Sequence, residues 1–277
     1  MPDTTPPPAE VPPEVIGHYA AGVERDRLAH GPGQLEFART CEVIERYLPP
    51  PPAVVYDIGG GPGAYAHWLA GRGYAVHLLD AVPLHVAQAL AAAGPAPLAS
   101  AQVGDARRLP YADASADAVL LLGPLYHLTD AGDRLAAWRE AGRVLRPSGV
   151  VVAAAVSRFA SVLDGLREEF LADGAFARVV ERDLRDGQHR NTTGHPAHFT
   201  TAYFHRPEEL AAEAAAAGLR PVATLGVEGP AWLLGNFADW WADPARRDRL
   251  LWAVRAVEAE PALLGVSAHL LAVAAKG

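Results

Sequence analysis

The sequence of 277 residues contains a single cysteine, Cys41, and a single lysine, Lys276. A lone cysteine cannot form a disulfide within the chain, which is typical of a protein in a reducing compartment. A lone lysine at the C-terminal end excludes reactions that use an interior lysine as a Schiff base or a phosphate ligand. No cationic start followed by an apolar stretch resembles a signal peptide, so we expect a cytoplasmic protein.

Long apolar runs and a basic surface are also missing. No stretch approaches 18 apolar residues without glycine, proline or charge, so we expect no membrane span. Acidic residues outnumber basic ones by 32 to 24, the net charge is -8, and the arginines are scattered. We therefore expect neither nucleic acids nor anionic membranes as partners.

The residues that are abundant indicate a soluble globular chain with many loops. Half of the residues are hydrophobic, 20% are charged, and there are 26 glycines and 24 prolines. A nucleotide-binding α/β core needs only about 150 residues, so the rest must form additional segments. We interpret these as coverings of a single domain: a proline-rich disordered tail (1–13), a helical N-terminal cap (14–50), and a core (51–277) with an inserted lid (157–205).

Hydrophobic periodicity predicts the order of helices and strands. In the cap it predicts two helices, separated at Gly31-Pro32-Gly33. Beyond the cap, strands alternate with helices, which indicates a parallel sheet covered on both faces. The predicted strands are 53–58, 75–79, 99–103, 118–122 and 150–156, with helices at 64–72, 82–93 and 130–145. After the polar lid we predict helices at 206–217 and 236–260 and strands at 221–227 and 268–274.

A glycine loop follows the first predicted strand and precedes a helix. Such a turn directs unpaired backbone N–H groups at a ligand over the end of the strand. The residues Gly61 to Ala66 also satisfy a dinucleotide fingerprint, with Asp80 at the customary distance. Asp57, at the end of the first strand, favours instead a ligand with a cationic group. Asp80 suits ribose hydroxyls, and Asp105 suits an adenine amino group.

With these residues the chain resembles the class I S-adenosylmethionine-dependent methyltransferases, in a bacterial branch that acts on small molecules. The resemblance covers residues 53–156 and continues through the last helix and strands. It implies an α/β, Rossmann-like, seven-stranded and mostly parallel sheet with an antiparallel last strand, and S-adenosylmethionine as the cofactor. The implied cofactor residues are Asp57, Gly59, Gly60, Gly61, Gly63, Asp80, Ala81, Asp105, Ala106, Arg107, Leu122 and Gly123. The long insertion between the last two strands departs from the family's short hairpin.

The stretch from Gly123 to Leu128 is similar to a segment that borders cofactor and acceptor in that branch. It carries Tyr126 and His127, and His127 has the residue type of a general base, although a purely packing role is an alternative. In related methyltransferases, helices before the first strand close over the cofactor. This implies that Tyr19 contacts the cofactor and assists catalysis, and that Arg39 binds the cofactor's carboxylate; a core aromatic and a solvated charge are the alternatives.

The lid supplies the predicted acceptor pocket. Tyr203, Phe204 and His205 are expected to line it, together with Tyr126 and His127. The other lid histidines, His189, His195 and His198, are expected to face solvent, and no metal site is expected because cysteines are missing and Pro196 interrupts the pair. Trp232, Trp240 and Trp241 would suit an aromatic acceptor or the core.

These features predict transfer of a methyl group to a carbon, nitrogen or oxygen atom of a small, aromatic or heteroaromatic metabolite. One alternative is a Rossmann-type NAD(P)-dependent oxidoreductase, which the glycine loop permits. That alternative lacks a Tyr-x-x-x-Lys pair and leaves Asp57 unexplained. A second alternative is a regulator that binds the cofactor without catalysis. The oligomeric state is left open.

Overall fold

A computed structural model describes residues 12–20, 22, 24–92, 94 and 96–277. Most of the predicted tail, residues 1–11, lies outside the described residues. Pro13, which we assigned to the tail, is instead the first residue of helix α1 (Pro13–Ala20), because proline's fixed φ suits the first helical turn. A 3₁₀ helix (Arg27–Ala29) and helix α2 (Gly33–Tyr47) complete the cap, and the break at Gly31 to Gly33 is confirmed.

The core alternates strands and helices as predicted, with small changes of boundary. Its elements are β1 (Val54–Ile58), α3 (Ala64–Ala70), β2 (Ala75–Asp80), α4 (Pro83–Ala91), β3 (Ser100–Val103), β4 (Ala116–Leu121), α5 (Pro124–His127), α6 (Ala131–Val144) and β5 (Leu145–Val156). The largest change is β5, which begins at Leu145, five residues before the predicted start. Helix α6 begins where the Asp130 carboxylate accepts hydrogen bonds from the backbone N–H groups of Gly132 and Asp133.

The predicted lid contains more regular structure than its polar sequence suggested. It holds α7 (Ala160–Arg167), a 3₁₀ helix (Phe170–Ala172), α8 (Gly174–Asp186), a small hairpin of β6 (Gln188–His189) and β7 (Ala202–Tyr203), and a 3₁₀ helix (Pro196–His198). Helix α8 buries Phe176, Val179 and Val180 at helical spacing, between an Asp173 N-cap and a left-handed Gly187. The sequence carried this signal, and our prediction missed it.

The C-terminal part completes the sheet. Its elements are α9 (Pro207–Ala216), β8 (Arg220–Gly226), 3₁₀ helices at Gly229–Leu233 and Leu264–Val266, α10 (Phe237–Ala242), α11 (Pro244–Val257) and β9 (His269–Ala275). The helix predicted at 236–260 is divided at Asp243-Pro244, where Asp243 caps α11 and Pro244 is its first residue. Trp240 and Trp241 are partly buried and pack against a hydrophobic cluster that includes Leu35 and Phe237.

The described strands form a seven-stranded sheet in the order β3-β2-β1-β4-β5-β9-β8. Strands β1 to β5 run parallel, and β9 pairs antiparallel with both β5 and β8, which confirms the predicted fold class. The long insertion between β8 and β9 does not disturb this pairing. The carboxyl ends of β1, β2 and β4 therefore meet at one edge, where parallel α/β sheets bind ligands.

Helices cover both faces of the sheet. On one face Trp138 and Val144 of α6 and Leu210 of α9 pack against the strands. On the other face Ile44 of α2 and Leu69 of α3 do the same. None of the helices in the described part of the chain is long and apolar enough to cross a membrane.

Candidate active site

The glycine loop follows β1 at the carboxyl edge of the sheet. Gly59, Gly61 and Gly63 have φ values of 71°, 56° and 92°, in the left-handed region that side chains disfavour. On the neighbouring strand end, a Cβ atom on Gly123 would lie 2.6 Å from the carbonyl oxygen of Gly59. Only glycine therefore permits the two backbones to approach so closely.

A cavity of about 520 Å³ opens above this loop. We refer to it as the cofactor cavity. Of the residues proposed from the sequence, those that line it are Tyr19, Gly59, Gly60, Gly61, Gly63, Asp80, Ala81, Asp105, Ala106, Arg107, Leu122, Gly123, Tyr126 and His127. The structure thus brings together residues from the cap, three strand ends and the segment after β4.

Asp80 organises the loop around the cavity. One carboxylate oxygen accepts a hydrogen bond from the backbone N–H of Gly61 at 2.8 Å, and the other accepts from Val82 N–H at 2.8 Å. That second oxygen also accepts from Nδ1 of His85 at 3.1 Å. His85, in the first turn of α4, is a buried cavity residue that our sequence reasoning missed, although it lies only five residues after Asp80.

Asp105 and Arg107 form one charged unit at the cavity wall. The Arg107 guanidinium lies 2.6 Å from the Asp105 carboxylate and 2.7 Å from that of Asp133. These ion pairs and burial of the guanidinium fix Arg107 against the wall. Asp105 also accepts a hydrogen bond from the backbone N–H of Arg107, which shapes the turn after β3.

Asp57 does not line the cavity, in contrast to the predicted contact with a cationic group. It is fully buried under the loop, and a Cβ atom on Gly60 would lie 2.6 Å from its Oδ2. Neither carboxylate oxygen has a hydrogen-bond partner among the described residues. Burial, with the charge of Asp80 as a second cause, raises the pKa of Asp57 to about 7.

Arg39 does not line the cavity either, which contradicts its predicted role as a ligand of the cofactor's carboxylate. Its side chain is fully buried and pairs with Glu42 on the same helix and with Glu258 after α11. Two carboxylates that neutralise a buried guanidinium keep it in the interior. The sequence could not show this pairing, because Glu258 is 219 residues away.

Tyr19 and His127 meet across the cavity, as the proposed catalytic pair. The Tyr19 hydroxyl lies 2.7 Å from Nε2 of His127, and Nδ1 of His127 lies 3.3 Å from the Thr201 carbonyl. A carbonyl can only accept, so Nδ1 carries the proton and Nε2 accepts from Tyr19. Burial lowers the pKa of His127 to about 4, against a smaller opposite effect of the Thr201 carbonyl. His127 is therefore neutral at neutral pH.

A second cavity of about 720 Å³ adjoins the first. We refer to it as the acceptor cavity. Its walls combine aromatic rings of Tyr19, Tyr126 and Phe199 with polar groups of Asn191 and Thr201. Tyr19 and Tyr126 line both cavities, so they form part of the wall between them.

Tyr203, Phe204 and His205 do not line either cavity, which corrects the predicted acceptor pocket. The Arg134 guanidinium lies over the Tyr203 ring at 3.7 Å, and Phe204 packs against Val156. His205 is fully buried, 3.5 Å from Glu213. The hairpin directs these three residues away from both cavities and presents Phe199, Thr200 and Thr201 to the acceptor cavity instead.

The lid histidines also differ from the prediction that they face solvent. His189 is buried, with Nδ1 2.8 Å from Asp183 and Nε2 2.8 Å from the His198 carbonyl. His198 is buried as well, and only His195 of these three is exposed. Both nitrogens of His189 are thus engaged in holding the lid together.

Four charged residues at the junction of the cavities escaped the sequence analysis. They are Arg27, Glu36, Glu228 and His269. Arg27 and His269 line both cavities, and Glu36 lines the first. No local pattern in the sequence could unite residues that come from the cap, the segment after β8 and the start of β9.

Residues 56–153 match the family model of the methyltransferase domain. The match identifies a methyltransferase domain in this part of the chain, and it is consistent with the class I, S-adenosylmethionine-dependent type that the sequence resembles. A methyltransferase domain implies an enzyme that binds S-adenosylmethionine as its cofactor. The matched segment runs from β1 to the middle of β5 and so includes the glycine loop, Asp80, Asp105 and His127.

Solved structures support the same fold along almost the whole chain. A Thermotoga maritima protein described as a possible histamine N-methyltransferase has 16% identity and a TM-score of 0.57, over 95% of this chain and 99% of that one. A protein solved with the Trm112 methyltransferase activator of Haloferax volcanii has 19% identity and a TM-score of 0.57, over 94% and 96%. The cyclase SpnF has 17% identity and a TM-score of 0.55, over 89% and 84%. At these identities the likeness concerns the fold alone.

Proposed function

We propose that the protein transfers the methyl group of S-adenosylmethionine to a small, aromatic or heteroaromatic metabolite. The observation that carries this proposal is the contact between two cavities. The glycine loop borders one cavity, aromatic rings border the other, and Tyr19 and Tyr126 line both. Ligands on either side of a shared wall are held close together, which is the main requirement of a transfer reaction.

The residues of the cofactor cavity fit the proposed ligand. The nearest atom to a Cβ built on Gly61 is 3.9 Å away, so this backbone is open to a ligand. Asp80 and Asp105 add carboxylate oxygens from the next two strand ends, which suit ribose hydroxyls and an amino group. When bound, the cofactor supplies a methyl group activated by a positively charged sulfur.

Tyr19 and His127 orient the acceptor where the methyl group is transferred. Neutral His127 accepts the hydroxyl hydrogen of Tyr19, so the lone pairs of the phenolic oxygen remain available to a ligand. Because its pKa is low, His127 is a weak base at this site. We therefore assign to this pair the orientation of the acceptor, with proton transfer as a secondary role.

The acceptor cavity favours a flat aromatic molecule. Rings of Tyr19, Tyr126 and Phe199 offer stacking surfaces, and Asn191 and Thr201 offer hydrogen bonds. A nucleic acid is disfavoured by the net charge of -8. A peptide substrate is disfavoured because helix α1 and the lid both cover the cavity, through hydrogen bonds of Thr200 and Thr201 to Glu14.

Calorimetric titration tests the cofactor assignment. We expect S-adenosylhomocysteine to bind with one site per chain and NADH not to bind. Binding of NADH alone would favour the oxidoreductase alternative and contradict the proposal. A screen with methyl-labelled S-adenosylmethionine against a panel of aromatic metabolites, peptides and RNA would then identify the acceptor class. Transfer to peptide or RNA only would contradict the proposed small acceptor.

A further inference from the structure

His269 lies at both cavities and is not among the residues that have a role in the proposed reaction. It is the first residue of β9 and pairs with Val156 at the carboxyl end of β5. Its side chain lines both the cofactor cavity and the acceptor cavity. A ligand in the acceptor cavity that reaches toward the cofactor therefore passes the His269 ring.

Glu228 fixes the orientation of this ring. Nδ1 of His269 donates to Oε1 of Glu228 at 2.5 Å. The other oxygen of Glu228 accepts from the Ser267 hydroxyl at 2.9 Å and from the backbone N–H of His269 at 3.0 Å. Glu228 is buried, so its carboxylate has a fixed position. Within the described part of the chain no hydrogen bond reaches Nε2 of His269, which leaves this nitrogen for a ligand.

The neighbouring charges keep His269 protonated. Burial by itself lowers the pKa of its imidazole, but Glu36 and Glu228 outweigh this effect and raise the pKa to about 9. Glu36 lies 3.7 Å from Nδ1, and Arg27 opposes the two carboxylates in part. Arg27 is itself held by Glu24 at 2.8 Å and by Glu36 at 2.5 Å. At neutral pH, Nε2 of His269 is thus an N–H donor on a cation.

We propose that His269 is an acceptor-binding residue that donates from Nε2 to the hydroxyl oxygen of an aromatic acceptor and stabilises its ionised form. This inference rests on the proposed function and names its substrate class, a phenol or an enolic heteroaromatic compound. The aromatic walls hold the ring, and the imidazolium holds the oxygen next to the cofactor cavity.

The chemistry of this step is a proton transfer to solvent. The acceptor hydroxyl loses its proton to water, and the electron pair of the broken O–H bond stays on the oxygen. His269 keeps both of its protons, and Glu228 stays ionised. The resulting oxyanion is a better nucleophile than the neutral hydroxyl. His127 cannot replace His269 in this role, because it is neutral and its Nε2 already accepts from Tyr19.

The test uses 4-nitrophenol as a chromophoric probe, since its neutral and ionised forms absorb at different wavelengths. The 277-residue chain is first titrated with S-adenosylhomocysteine, and the complex is then titrated with the probe across pH. We expect the ionisation constant of the bound probe to be at least about tenfold higher than that of the probe in water, a decrease of one pKa unit. In His269→Gln, which keeps a side-chain donor but has no charge, we expect this increase to disappear.

Two further variants separate charge from folding. Glu228→Gln retains an oxygen acceptor for Ser267 but removes a charge that keeps His269 protonated. In Glu228→Gln we therefore expect the ionisation constant of the bound probe to be raised at acidic pH. We expect this increase to disappear at a lower pH than it does in the wild type. His30→Gln changes an exposed histidine outside both cavities, and we expect wild-type behaviour.

The outcomes distinguish the two proposals. If S-adenosylhomocysteine binds but the probe does not bind, or binds with its ionisation unchanged, the role of His269 is wrong and the proposed function stands. The role of His269 is also wrong if the His269→Gln variant ionises the bound probe to the same extent as the wild type. If S-adenosylhomocysteine does not bind, the proposed function is wrong and this assignment is overturned with it.

Discussion

The environment of His127 determines how this site handles a proton. The imidazole is neutral, donates to the Thr201 carbonyl and accepts from Tyr19. We expect His127→Ala to lower the turnover number by at least about tenfold, because the Tyr19 hydroxyl loses its fixed orientation. Affinity for S-adenosylhomocysteine, measured by calorimetry, should change little. His30→Ala, on the exposed surface, is the matched control, and unchanged turnover in His127→Ala would remove this residue from the mechanism.

Asp57 gives the protein a stability that depends on pH. Its pKa in the folded state is raised to about 7, above the ordinary value of 3.8, by burial first and by Asp80 second. The favourable contribution of the neutral carboxyl is thus complete in acid and is lost as the pH rises through 7. Asparagine cannot ionise. We expect the unfolding free energy of Asp57→Asn, relative to that of the wild type, to be at least about 1 kcal/mol higher at pH 8 than at pH 5.

Urea denaturation at both pH values measures this difference. Asp113→Asn is a suitable control, because the Asp113 side chain is 78% exposed. A difference between Asp57→Asn and the wild type that is the same at both pH values would show that Asp57 is ionised in the folded state throughout this range.

At the scale of elements, the contact between the glycine loop and the segment after β4 shapes the cofactor cavity. A methyl group on Gly123 would lie 2.6 Å from the Gly59 carbonyl oxygen, so one of the two backbones would have to move. We expect Gly123→Ala to weaken binding of S-adenosylhomocysteine by at least about tenfold, because misplacement of the loop by even a fraction of an ångström lengthens its hydrogen bonds.

Gly235→Ala provides the control for this prediction. Gly235 also lies in a connection between elements, but a Cβ atom built on it meets nothing within 4 Å. Calorimetry should give wild-type affinity for Gly235→Ala. Equal affinities for the two alanine variants would mean that the loop tolerates displacement.

At the scale of the whole molecule, Arg39 joins the beginning of the chain to its end. The buried guanidinium on α2 pairs with Glu42 and with Glu258, which follows α11. We expect Arg39→Ala to lower the free energy of unfolding by about 3 kcal/mol, because two carboxylates lose their buried partner. Affinity for S-adenosylhomocysteine should stay within about twofold of the wild type, equivalent to a change below 0.5 kcal/mol.

Arg46 offers a matched comparison, since it also pairs with Glu258 but its side chain is 40% exposed. We expect Arg46→Ala to cost less than about 1 kcal/mol in the same denaturation experiment. The reverse pattern for Arg39→Ala, with unchanged stability and weakened cofactor binding, would restore the carboxylate-binding role that the sequence suggested.

The sequence by itself determined the core and the cofactor edge. The glycines follow strand β1 directly. Asp80 and Asp105 likewise lie at or just after the end of an apolar strand. Because parallel strands align their carboxyl ends, short-range patterns were sufficient to predict the sheet, the glycine loop and the positions of Asp80 and Asp105 at the cofactor cavity. The family resemblance added the antiparallel last strand.

Only the tertiary structure decided which side chains turn toward the cavities. Arg39 is buried where it pairs with Glu258. The hairpin around residue 200 buries Phe204 and His205 and places Tyr203 against Arg134, away from both cavities. His269 and Glu228 meet each other and Glu36 only when β9 inserts between β5 and β8. Charge pairing and burial act through space, so residues more than 200 positions apart in the chain determine each other's role.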